Sequence, residues 1–154
     1  MTAGVAENRK AAGRNGGVEA VIAVLRRPDA GVSLLRAACV AVCNMTIDYE
    51  NEKAAGRCRG VEAVIAVLRR EDAGVSLLEA ACGALKNMTA GVAENRKAAG
   101  RNGGVEAVIA VLRRPDAGVS LLRAACVAVC NMTIDYENEK AAGRCRGVEA
   151  VIAV

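Results

Sequence analysis

Residues 1–67 recur without a mismatch as residues 88–154, a shift of 87 positions. Fixed-period self-similarity marks a chain built from stacked units, none of which can bury its apolar face alone. Inside the long unit lies a shorter, imperfect one. ENRKAAG at 7–13 returns as ENEKAAG at 50–56, ENRKAAG at 94–100 and ENEKAAG at 137–143, at shifts of 43, 44 and 43. The extra residue falls in the connector, MTIDY at 45–49 against MTAGVA at 88–93. The order is A–B–A–B, with repeats over 7–49, 50–93 and 94–136 and a partial repeat over 137–154.

A period near 43 suits helical units, and the pattern inside one repeat predicts three helices. NRKAAGRN at 8–15 is helix-prone and is stopped by Gly16 and Gly17. VEAVIAVLRR at 18–27 puts Val18, Val21, Ile22 and Leu25 on one face. Glu19 in its first turn and Arg26 and Arg27 in its last complement the helix dipole. Pro28 is expected to end it, since the residue before a proline avoids the helical region. Asp29 is then the expected N-cap of a third helix, roughly 30–45, with Val32, Leu35, Cys39, Val42 and Met45 as its buried stripe.

Composition narrows the function. The chain is 53% hydrophobic but 1% aromatic, with no Phe, Trp or His. A net charge of +4, with cations and anions interleaved, demands neither nucleic acid nor an anionic membrane as partner. No signal peptide or long apolar span is visible, so a cytoplasmic or nuclear, non-secreted protein is expected. The seven cysteines are odd in number and most sit in helical apolar patterns, which predicts reduced, mostly buried thiols. Cys39 and Cys43 are four apart, but Cys43 becomes Lys86 in the next repeat and histidine is absent, so no metal site and no cofactor are expected. NMT at 44–46, 87–89 and 131–133 reads as helix-end chemistry more readily than as a glycosylation sequon. No nucleophile–base pair is arranged at a defensible spacing, and the expectation is a non-enzyme.

GGVEAVIAVLRRPD followed by LLRAACVAVCNMT resembles an armadillo repeat, and the resemblance covers essentially the whole chain. Gly17, Gly60, Gly104 and Gly147 take the family's glycine position. Ala41, Val42, Asn44 and Met45, with their equivalents in the later repeats, take its Ala-Leu-x-Asn-Leu positions. The resemblance implies an all-α fold, a right-handed superhelical α-solenoid of three-helix armadillo repeats. It also implies a concave groove of third helices in which Asn44, Asn87 and Asn131 bond the backbone of an extended peptide. Asn carries both a donor and an acceptor, as bridging a peptide unit requires. Capping or fixing the connector is the equally weighted alternative for each Asn. Importin-like members often carry Trp four residues before the Asn. Here Val40, Gly83 and Val127 stand there, so recognition of nuclear signals is not expected.

Two columns alternate in sign: Arg9, Glu52, Arg96 and Glu139, then Arg36, Glu79 and Arg123. Equivalent positions of stacked repeats lie ~10 Å apart, so an inter-repeat charge ladder is expected. Each exposed rung is worth ~0.2–1 kcal/mol and would set register more than stability. Val148, Val151 and Ile152 near the C-terminus make self-association end to end a second functional reading, beside binding of an extended peptide or protein segment. Identity over 67 residues exceeds what folding demands, because cores accept volume-conserving exchanges. Deliberate engineering and very recent tandem duplication both remain open as its origin.

Overall fold

The computed structural model describes residues 3–152, with side chains over 5–147 and 149–152. Among the described residues every regular element is an α-helix. The first unit contains α1 (Ala3–Arg14), α2 (Gly17–Leu25) and α3 (Val32–Met45); the second contains α4 (Tyr49–Arg57), α5 (Gly60–Leu68) and α6 (Val75–Met88). The third contains α7 (Ala93–Arg101), α8 (Gly104–Leu112) and α9 (Val119–Met132), and the last has α10 (Tyr136–Arg144) and α11 (Gly147–Ile152). The units stack in chain order. Third helices form the most extensive contacts, α3 on α6 and α6 on α9, and each second helix packs on its own third helix. One continuous apolar core runs through the stack.

Turn chemistry starts each second helix. Gly16 and Gly103 hold left-handed backbone at φ 74° and 69°, where L-residues other than glycine are disfavoured. Arg59 and Arg146 take the same conformation in the B units, at φ 59° and 54°. The glycine that opens each second helix answers to packing. A Cβ on Gly60 would lie 2.5 Å from Cδ1 of Ile22 and 2.9 Å from Cε of Met88.

Two local expectations are corrected. The second helix does not end because of Pro28. α2 stops at Leu25, and α5 stops at the equivalent Leu68 although Glu71 replaces the proline. What the loops share is an Arg–Asp fork: Arg27 on Asp29 at 3.0 and 2.6 Å, repeated by Arg70 on Asp72 and Arg114 on Asp116. The hydrogen bonds from these arginines hold the three carboxyls below the usual carboxylate range. Asp29 is therefore occupied in the loop, and the N-cap of α3 is Gly31, without a side-chain bond. Val32 accordingly lies at the helix start and is exposed, while Leu35, Cys39 and Val42 are buried and Met45 half-buried.

Candidate functional site

The third helices present one face to a shared groove with a volume of about 620 Å³. Its three rungs come from equivalent positions. Arg36, Glu79 and Arg123 form one line; Val40, Gly83 and Val127 form a second, low one. Asn44, Cys43 and Lys86 close the C-terminal side, and Ser76 and Ser120 the N-terminal side. Gly83 leaves the middle of the floor open, and a Cβ there would meet only Cys43 Sγ, at 3.4 Å. Burial pushes the Cys43 thiol up, and the nearby Lys86 ammonium pulls it partly back.

The asparagines divide. Asn44 is exposed and lines the groove. Asn87 is half-buried and donates through Nδ2 to the Cys43 carbonyl at 2.7 Å; Asn131 donates in the same way to the Lys86 carbonyl at 2.8 Å. Each thus satisfies an orphan carbonyl at the end of the preceding third helix. Neither is among the groove-lining side chains. The threonine of each NMT turns inward: Thr46, Thr89 and Thr133 donate to the carbonyls of Val42, Leu85 and Val129.

In the first charge column Glu52 and Arg96 bond to backbone groups. Glu52 is buried, and its Oε1 accepts from the backbone N–H groups of Gly91 and Val92, both at 2.8 Å. Arg96 donates to the carbonyls of Thr89 and Ala90 in the same connector. The cause lies in the connectors. α4 and α10 are capped by their own Asp48 and Asp135, each accepting from two backbone N–H groups. MTAGVA lacks that Asp, and α7 begins after Val92 with no side-chain cap of its own. The Glu52 carboxylate instead holds the N–H groups of Gly91 and Val92, in the connector just before the helix. Glu139, the equivalent in the last unit, is exposed. In the second column Glu79 accepts from Ser120 Oγ at 2.6 Å, while Arg36 and Arg123 share its groove. Ion pairs among the described residues join side chains two or three positions apart, such as Lys97 with Glu94.

Three sets of functional contacts were not anticipated. Asn51, Asn95 and Asn138 are buried, and each ties three elements together. Asn95 Nδ2 donates to the Glu52 carbonyl at 3.0 Å and to the Met88 carbonyl at 2.8 Å; Asn51 and Asn138 repeat the pattern. The facing glycines Gly13, Gly56 and Gly100 have no room for a Cβ, which would overlap the Asn Oδ1. Arg26, Arg69 and Arg113 reach the next unit, donating to the carbonyls of Cys58, Gly103 and Cys145. The sequence did carry a signal for the Asn–Gly pairs: all four copies keep Asn and Gly in EN-x-KAAG while the residue between alternates.

The thiols are less buried than expected. All seven are free; Cys39 and Cys82 are buried, Cys130 is exposed and the rest are intermediate. Cys43 lines the groove, beside Asn44 and Lys86. No group of three or more His, Cys, Asp or Glu side chains among the described residues is arranged to hold a metal ion. No helix among them is long and apolar enough to cross a membrane. At the C-terminus Val151 and Ile152 are exposed, and the side chain of Val148 lies outside those described.

Solved structures similar to the chain include two crystal structures of engineered proteins from the Northeast Structural Genomics Consortium. Each is 29% identical over 94% of this chain, with a TM-score of 0.82. This chain spans 57% of the length of one and 34% of the other. No protein-family model and no curated protein matches the sequence.

Proposed function

We propose that the chain is a non-catalytic scaffold, an armadillo-type α-solenoid that holds an extended peptide or protein segment in the groove of its third helices. The observation that carries this reading is the groove itself: about 620 Å³, open at Gly83, and lined by equivalent side chains of three successive units. Asn44 offers it an amide able to donate to and accept from a peptide unit. Val40 and Val127 supply apolar walls without an aromatic anchor, which favours weak, distributed binding over a single hot spot. Selection of linear peptides from a random display library tests it. Enriched peptides should lose binding to Gly83→Leu, which fills the floor; enrichment of none, or full binding to that variant, would sink the proposal.

A second reading, a designed repeat protein that associates with its own copies, is supported by different observations. The similar structures are engineered proteins. Ile152 is 78% exposed, and the space beside Gly143 is open where Gly56 and Gly100 receive an asparagine. Light scattering across a concentration series tests this reading, and a constant monomer mass up to millimolar protein would refute it.

A further inference from the structure

The charges of the groove alternate by repeat, and they are not spent on one another. Glu79 is half-buried and uses Oε1 on Ser120; among the described residues neither Arg36 nor Arg123 forms a hydrogen bond or ion pair. Two unpaired guanidiniums therefore flank one carboxylate along a common groove, and Lys86 adds a further positive charge beside it. Guanidinium groups without partners are suited to bind carboxylates through two parallel N–H···O bonds.

Resting on the peptide-groove reading, we propose that this line reads charge order: an extended segment carrying acid, base, acid at one-repeat spacing, with its carboxylates on Arg36 and Arg123 and its cation on Glu79. Packed helices of successive units lie about 10 Å apart. A β-strand brings side chains to one face every second residue, about 6.6 Å, which falls short of that spacing. A polyproline II segment turns once in three residues and rises about 9.3 Å, so residues i, i+3 and i+6 face one way near the required interval. The favoured ligand is a polyproline II peptide with the pattern Glu-x-x-Lys-x-x-Glu. The pattern reads alike in both chain directions, so the inference does not depend on peptide polarity.

The test compares labelled Glu-Pro-Pro-Lys-Pro-Pro-Glu with its reordered form Glu-Pro-Pro-Glu-Pro-Pro-Lys, which has the same composition and net charge. Fluorescence anisotropy is measured at low and high salt. Two or three exposed charge pairs should favour the first peptide about tenfold at low salt, and screening should shrink the preference. The variant Arg36→Glu/Glu79→Arg/Arg123→Glu should reverse it. Equal affinity for both peptides, lost in Gly83→Leu, would overturn the charge code and leave the groove reading standing. Binding of neither, with the random library also unproductive, would overturn both.

Discussion

At the scale of single residues, identical side chains do different work in different places. Glu52 anchors the connector before α7 through two backbone N–H groups, while Glu139, in the same seven-residue string, stands in solvent. Glu52→Ala should therefore cost about 1–3 kcal/mol, the range for leaving buried donors without an acceptor. Glu139→Ala should stay within about 0.5 kcal/mol, as exposed substitutions do. Urea unfolding of both variants checks the contrast, and equal losses would contradict the anchoring role. The glycines offer a parallel pair. A methyl group on Gly56 overlaps Oδ1 of the buried Asn95, whereas one on Gly143 meets nothing within 4 Å. Overpacking predicts a loss of about 1–3 kcal/mol for Gly56→Ala. Gly143→Ala, inside α10, should instead gain up to about 1 kcal/mol from helix propensity. A stabilised Gly56→Ala would show that the Asn–Gly contact is slack.

At the scale of the element, the third helix carries both the core and the groove. Its inner stripe holds Cys39 and Cys82, whose thiols burial pushes up to about 12. A raised value means the folded state binds the proton more tightly than the unfolded one. The stabilisation is complete below the unfolded value near ~8.5 and is lost as pH climbs from there through about 12. Stability should thus fall with rising pH above ~8.5, and a Cys39→Ala/Cys82→Ala variant should show a shallower fall. Alkylation should reach exposed Cys130 first and Cys39 and Cys82 last. Fast labelling of Cys39 in the native protein would contradict the buried stripe. The loop after the second helix shows how an element's end can be misread. Proline is a sufficient stop, but α5 stops without one, because the Arg70–Asp72 fork sets the turn.

At the scale of the molecule, the stack has a middle and two ends. Leu77, Leu78, Leu85 and Met88 of α6 are each at most 2% exposed, because third helices cover both flanks. α11 is six residues long and its Val151 and Ile152 face solvent. Local opening follows buried contact, so amide hydrogen exchange should be slowest in α6 and fastest in α11. Equal protection along the chain would mean that the stack opens only as one unit. The Arg26, Arg69 and Arg113 bridges and the buried asparagines join every neighbouring pair of units. They bring direction and register to an interface whose apolar contacts alone would tolerate sliding.

Periodicity alone was enough to read the helices, their order and most of the core stripe, because a 3.6-residue rhythm is local. The groove position of Arg36, Glu79 and Arg123 was legible only as a column of alternating sign. Whether such a column pairs with itself or faces a groove depends on where neighbouring helices stand. The exact internal copy makes the division measurable. Leu34 and Leu121 occupy the same place in the same 67 residues, yet Leu34 is 46% exposed and Leu121 0%. The GVEAVIAVL helix buries Val18, Ile22 and Leu25 as α2, and also the equivalents of Ala20, Val21 and Val24 as α5. Full burial of such a side chain is worth about 1.5–3 kcal/mol. Which copy receives it is decided by the unit stacked against it, since burial belongs to a surface shared between two elements and no string of residues encodes its own neighbour.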